Sequence, residues 1–396
     1  MRARASMGVF RVAVVCGTVF SEQTALWRAC QEVGAHITVI GTDVNLHRAA
    51  WPWRPAAPRD LESVFLRPVS PLLRRGHLWW LYRRLGAALR AARPDLVHVV
   101  SEPWGALVLQ TQVLRAAGAF DLPLCVHGAD NLYQHGGPLE RSIRRFVLRG
   151  VLPRLDGFAS WNGEGVRRAH SSGLPRATPT LVVPAVVPDP LRFRPPSDAE
   201  RLAARRRFGL PTGRPVVAFL GRLVAEKGVR DLEEALRLLG AAAPYVAVWG
   251  AGPLEDGIAS LFANGIEGRF GGPLDFDEVP DALRASDILV VPSRRTSGLL
   301  EQFSRVAVEG MLSGCAVVAY RTGALPEVVG DGGVLVREGD VGGLARAMRR
   351  LAEDGLARAS VVTEGRARAL RLFQPAALAE ELVDFWREVD ARWASR

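Results

Sequence analysis

The chain has 396 residues, 48% of them hydrophobic and 23% charged, which suits a folded protein of roughly two domains and excludes a disordered or low-complexity polymer. No run of 18 uncharged apolar residues occurs, which excludes a transmembrane helix of ordinary length. The net charge of +10 is uneven: residues 1–190 hold 23 Arg against 13 acidic residues, whereas residues 191–396 hold 28 basic and 28 acidic ones, so a face able to attract nucleic acid, anionic lipid or a phosphorylated acceptor belongs to the first half.

The apolar segment 10–20 follows a basic start, as a signal peptide would. Gly17 and Thr18 interrupt it and no small-residue cleavage site follows, so it reads as a buried first strand. Further β-branched runs at 36–40, 96–101, 122–127, 157–161 and 180–183 are separated by helix-length stretches. Apolar residues on consecutive positions suit strands covered on both faces, as in a parallel sheet flanked by helices. Cys16, Cys30, Cys125 and Cys315 lie mostly in such runs without metal-type spacing. They read as buried small hydrophobes in a reducing cytoplasm, and no metal site is expected.

Two basic stretches interrupt this pattern. Residues 72–93 place Leu78, Leu81, Tyr82, Leu85 and Leu89 on one helical face beside Trp79 and Trp80, with Arg74, Arg75, Arg83, Arg84, Arg90 and Arg93 around them. Residues 139–154 set Ile143, Phe146, Val147 and Leu148 among Arg141, Arg144, Arg145, Arg149 and Arg154. Each reads either as an amphipathic helix packed on its own sheet or as one that lies on an anionic membrane. Membrane contact from the cytoplasmic side, with a lipid-linked acceptor, is the partner reading that the basic half favours; nucleic acid is not expected.

Pro184, Pro188, Pro190, Pro195, Pro196, Pro211 and Pro215 crowd the next segment and mark a boundary. Strand-length runs then resume at 215–220, 245–249, 266–270, 287–292, 316–320 and 333–336. Strand-then-helix alternation repeated twice implies an α/β protein of two doubly wound domains, 1–190 and 191–374, with ligands outside the carboxyl ends of the strands. Residues 375–396 form a last helix with Leu378, Leu382, Phe385 and Trp386 on one face, suited to packing back on the first domain.

Two constellations in the second domain carry chemistry. Gly221-Arg222-Leu-Val-Ala-Glu-Lys227-Gly228 directly follows the strand 215–220. Arg222 can meet phosphate oxygens with its planar fork, and Lys227, the only lysine in the chain, adds a compact charge. Two cations offset the charge that builds on a departing nucleoside diphosphate. The second is Glu301-Gln-Phe-Ser-Arg-Val-Ala-Val-Glu309, a loop that becomes a helix after the strand 287–292. Amides at its start, near Phe303, Ser304, Arg305 and Val306, favour an anion. Carboxylates beside such a site address hydroxyls, which a ribose and a hexose supply.

In type, order and strand context, the Arg-x4-Lys pair Arg222/Lys227 and the Glu-x7-Glu pair Glu301/Glu309 resemble the family-4 retaining glycosyltransferases (glycosyl transferases group 1). The continuation Arg321-Thr-Gly-Ala-Leu-Pro-Glu-Val-Val and Asp331-Gly-Gly-Val-Leu-Val is similar to that family's C-terminal core. The resemblance implies the GT-B fold, two facing Rossmann-like domains around an interdomain cleft, with an acceptor-binding first domain and a donor-binding second one. It implies a nucleotide-diphosphate sugar as donor, no cofactor or metal, and front-face attack in which the departing phosphate takes the acceptor's proton.

By the same resemblance, Glu301 contacts the transferred sugar, Glu309 the ribose, Arg222 and Lys227 the diphosphate, and Phe270 and Gly271 the base. Ser304 stands where the family commonly has glycine. In the first domain, Gly17 resembles the family's glycine loop without its usual Gly-Gly pair, and His127 a histidine that faces the sugar. His98, inside a buried run, reads as structural, Asp130 and Asn131 as acceptor ligands or ordinary loop caps, and Pro184-Ala-Val-Val-Pro as a degenerate linker motif. A nicotinamide-dependent dehydrogenase would carry a Gly-x-Gly-x-x-Gly that Gly250-Ala-Gly252 does not complete. A nucleotide-sugar epimerase of related fold and a non-catalytic GT-B relative stay as alternatives.

Overall fold

A computed structural model of the chain describes residues 9–19, 21–43, 61–69, 81–129, 137–296 and 300–396. The chain forms two compact units, Met1–Val187 with Pro375–Arg396, and Pro188–Gln374.

The first unit is built on β1 (Phe10–Thr18), β2 (Ala35–Thr42), β3 (Glu62–Phe65), a short pair β4 (Pro68–Val69) and β5 (Leu81–Tyr82), then β6 (Leu96–Val100), β7 (Leu124–Gly128), β8 (Gly157–Ser160) and β9 (Thr180–Val182). Seven of these make one parallel sheet in the order β3-β2-β1-β6-β7-β8-β9. The consecutive apolar residues of the first run explain its central place: Val12, Ala13, Val14 and Val15 are all buried, alternate ones entering the cores on opposite faces of the sheet. Leu81 and Tyr82, read from the sequence as helical, instead pair antiparallel with Val69 and Pro68, and the helix begins only at Leu85. The rest of that basic stretch, residues 72–80, lies outside the described residues.

The helix Pro375–Ala394 belongs to this unit. Leu378, Leu382, Phe385, Trp386 and Val389 are buried in the same core as Val12, Val14, Leu26 and Trp27. Each such side chain contributes roughly 1.5–3 kcal/mol of burial before ordering costs are subtracted. Trp386 stacks on Trp27 with ring centres 6.4 Å apart.

The second unit holds β10 (Val216–Leu220), β11 (Tyr245–Trp249), β12 (Gly268–Gly272), β13 (Ile288–Val291), β14 (Ala316–Tyr320) and β15 (Val334–Val336), all parallel, in the order β12-β11-β10-β13-β14-β15. The chain steps outward from β10 to β12 and then crosses to β13 on the other side, which creates a switch point between β10 and β13. Its entry is firmly built. The helix Asp198–Phe208 starts with a capping box between Ser197 and Glu200 and stops at Gly209, whose φ of 62° is left-handed. Asp287, just before β13, then accepts from the guanidinium groups of Arg201 and Arg205 and from the amide of Val216 at the foot of β10. Among the described residues no helix is long and apolar enough to cross a membrane.

Candidate active site

The switch point of the second unit gathers the charged residues. The chain leaves β10 at Leu220, passes Gly221 and Arg222, and buries Leu223, whose amide donates to Ala251 at 2.8 Å. A single 3-10 turn, Ala225–Lys227, follows, and Gly228 ends it with φ 71°. A Cβ on Gly228 would collide with the carbonyl oxygen of Pro292, at the end of β13, so the two loops meet backbone to backbone. The amide of Arg294 donates to Glu226 at 2.9 Å and ties them further.

Across this seam Lys227 Nζ lies 2.8 Å from Glu301 Oε2, and Ser293 Oγ donates to the same oxygen at 2.7 Å. Glu301 is only 8% exposed. Burial opposes its charge, but Lys227, Ser293 and Arg222 outweigh burial and hold the carboxyl below its usual range. Glu301 is therefore an ionised carboxylate held in place by a cation. Its backbone is fixed as well: Ala324 donates to the Glu301 carbonyl at 2.8 Å, and a Cβ on Gly323, φ 54°, would strike that carbonyl. The Arg321-Thr-Gly-Ala segment thus serves as the clamp for Glu301.

Ser304 is the N-cap of the helix Arg305–Leu312 and makes no side-chain capping bond. Phe303 anchors the turn by packing edge-on against Phe373 at 5.5 Å. Arg305 and Glu309, one helical turn apart and both largely buried, form an ion pair at 2.9 Å. The Arg305 guanidinium also lies 5.6 Å from the ring centre of Phe276. Gly310 lets this helix approach β13, since a Cβ there would press on Leu289. Val306, the next helical residue, is half-buried.

Arg222 pairs with Glu226 at 3.3 Å and stays 40% exposed on its side chain, so it borders the cluster as a partly solvated cation. Phe270 and Gly271 lie at the end of β12, two strands from β10. They join the same rim through backbone: Gly250 donates to Gly272 at 2.8 Å, and a Cβ on Gly250 would strike the Gly221 carbonyl.

In the first unit, the loop after β1 is pinned by Tyr82, whose hydroxyl donates toward the carbonyls of Cys16 at 3.1 Å and Gly17 at 2.9 Å. Nothing crowds the space where a Gly17 Cβ would stand, so packing does not demand a glycine there. His127, on β7, belongs to a buried chain. Trp386 Nε1 donates to His98 Nδ1 at 3.1 Å, His98 Nε2 meets His127 Nδ1 at 3.2 Å, and His127 Nε2 meets the Val183 carbonyl at 2.7 Å. An indole nitrogen only donates, so each neutral imidazole carries its proton on Nε2 and the chain runs one way. Burial pushes His98 well below the usual histidine range, and it lowers His127 to about 4. This arrangement leaves no ring nitrogen of His127 for a sugar. Asp130 and Asn131 lie outside the described residues.

Sequence reasoning did not single out Ser293, Tyr82 or the Trp386–His98 link. Ser293 had a usable signal, since it directly follows a buried strand at the switch point. Trp386 and His98 are 288 positions apart and carry none.

The profile of the glycosyl transferases group 1 matches residues 214–354. A 2-deoxystreptamine glucosyltransferase of Streptomyces kanamyceticus is 37% identical over 361 residues, which cover 83% of this chain and 87% of that protein. A 2-deoxystreptamine N-acetyl-D-glucosaminyltransferase of Streptomyces fradiae is 34% identical over 279 residues, covering 65% and 62%. Among solved structures, Anabaena HepE in complex with UDP aligns with a TM-score of 0.70 at 18% identity, over 96% of this chain and 100% of that one. That likeness shows the two-domain GT-B fold.

Proposed function

The chain belongs to the glycosyl transferases group 1 family and is a glycosyltransferase; from that premise we propose that it transfers a hexosyl group, with retention of configuration, from a nucleotide-diphosphate sugar to an acceptor hydroxyl. The observation that carries this reading is the Lys227–Glu301 pair, 2.8 Å across the switch point. It places an ionised carboxylate, suited to sugar hydroxyls, against a cation suited to phosphate. In this reading Glu301 addresses the transferred sugar and Glu309 the ribose, with Arg305 holding Glu309 in place. Lys227, Arg222 and the amides from Phe303 to Val306 receive the diphosphate, and Phe270 and Gly271 border the base.

Arg222 and Lys227 supply the positive charge that stabilises the departing diphosphate, and the reading invokes neither metal nor cofactor. The departing phosphate takes the proton from the acceptor hydroxyl as the new glycosidic bond forms. Gly17 borders the sugar, Asp130 and Asn131 meet the acceptor, and His127 contributes by fixing the end of β7.

The acceptor reading that the relatives favour is a cyclitol bearing amines, since both are named for 2-deoxystreptamine. A lipid-linked or surface-glycan acceptor at the inner membrane face is the second reading, favoured by the exposed apolar residues of the helix Pro138–Val151.

A panel of nucleotide sugars, screened by thermal denaturation, tests the donor assignment: a specific donor raises the melting temperature by linkage. Incubation of that donor with 2-deoxystreptamine then yields a glycoside of unchanged anomeric configuration. Stabilisation by no nucleotide sugar would overturn the proposal, and conversion of donor without any acceptor would favour the epimerase.

A further inference from the structure

We propose that the helix Pro138–Val151 is a docking surface for an anionic lipid bilayer. This helix touches its own unit along a narrow side, where Arg144, Leu148 and Val151 are buried and the Arg144 guanidinium sits 4.7 Å from the ring centre of Trp104. The far side carries Leu139, Ile143 and Phe146, which are 75%, 51% and 80% exposed. At 3.6 residues per turn these three fall within about 60° of one another, and their centre lies about 140° from the centre of the buried side. The apolar stripe therefore points outward from the unit to which it belongs.

Charge chooses the occupant. Arg141, Arg145 and Arg149 are exposed along one flank of this helix, with Arg149 nearest the stripe, and Glu140 is its only acidic residue. A second copy of the chain would present the same positive helix, and like charges brought together oppose association. A bilayer containing acidic phospholipids answers both features: the apolar side chains enter the acyl boundary while the guanidinium groups meet phosphates. The excess charge of the chain lies in its first half, to which this helix belongs, and adds long-range attraction toward an anionic bilayer.

The use of such docking rests on the second acceptor reading above, presentation of the acceptor on a lipid. Docking itself is measured apart from transfer. The full chain is sedimented with phosphatidylcholine vesicles that contain or lack phosphatidylglycerol, at low and high salt, beside the variants L139S/F146S and R145E/R149E. Wild type pellets with the phosphatidylglycerol vesicles and is released by salt, and each double variant binds about tenfold more weakly or worse. Both variants keep the donor-induced rise in melting temperature, which shows an intact fold.

Absence of wild-type binding at low salt, or equal binding by both variants, overturns the proposal. So does concentration-dependent dimerisation without vesicle binding that L139S/F146S abolishes, which would make a second copy the occupant. Vesicle binding with no donor stabilisation counts against the donor reading alone; donor stabilisation with no vesicle binding counts against docking alone.

Discussion

The indole nitrogen of Trp386 lies 3.1 Å from Nδ1 of His98, and this one donor fixes the direction of every proton between the terminal helix and Val183. In W386F the ring still stacks on Trp27 but the donor is gone, so the buried Nδ1 of His98 is left without a partner. The expected loss of stability is about 1–3 kcal/mol. Chemical denaturation measures it, and nitrogen shifts of the two imidazoles show the tautomers mixing. Donor-induced thermal stabilisation stays as in wild type.

The same pair makes stability depend on pH. Burial lowers His127 to about 4 in the folded state and holds His98 well below its ordinary value of 6.5. Above pH 6.5 both states hold neutral imidazoles and nothing changes. Between pH 6.5 and about 4 the unfolded chain binds protons that the folded one refuses, so stability falls as pH falls. The H98N/H127N variant flattens that slope in melts taken across this window, whatever its own stability.

Removal of either partner at the switch point separates charge from shape. E301Q keeps the volume of the side chain, loses the carboxylate, and lowers kcat roughly a hundredfold or more while the protein stays folded. In K227M the buried Glu301 loses its nearest cation and its pKa rises. In wild type the carboxyl is held below its usual range, so its stabilising contribution is lost only in acid; in K227M burial is no longer offset, and the ionised carboxylate becomes a cost to the fold as pH rises. Activity against pH, measured at saturating donor, reports the change.

Gly228 is, with Gly250, one of the tightest points of the site. In G228A the new methyl meets the Pro292 carbonyl, and the left-handed φ of 71° adds strain. Together these cost about 2–4 kcal/mol and push the two loops apart. The variant melts earlier and no longer gains stability from the donor, whereas G213A, with nothing near its Cβ, behaves as wild type.

Arg305 and Glu309 form a buried pair, so their variants are not additive. R305M removes the ion pair of the buried Glu309 carboxylate and weakens donor binding; R305M/E309Q restores part of the stability while donor affinity stays low. A coupling of about 1–3 kcal/mol in a double-mutant cycle is expected from melts.

Much of this was legible in the sequence, for a physical reason. Strands covered on both faces are written as unbroken apolar runs, so both sheets and the switch point of the second unit could be read from β1, β10 and β13. The clustering of Arg222, Lys227 and Glu301 was legible because each follows directly from the end of such a strand. Edge elements were not. In β3 only four residues pair, and Glu62 spends its carboxylate on Thr38 and His36, a polar pattern that gives no strand signal. Leu81 and Tyr82 continue a helical spacing yet pair as a strand, because tertiary contact overrides local preference. The partners of His98 and His127 come from Trp386 and Val183, and no local pattern encodes contacts of that range.

Because Pro375–Ala394 completes the core of a unit whose sheet is made from residues before 188, that unit is discontinuous in the chain. During synthesis its sheet emerges first, with the face around Trp27 still bare. The whole second unit is then translated before the covering helix arrives. At about 5–20 residues per second, the wait for those 187 residues lasts on the order of ten seconds or more. A ribosome-bound fragment ending near residue 374 therefore has one finished unit and one sticky one, and it is the earlier-made half that needs a chaperone.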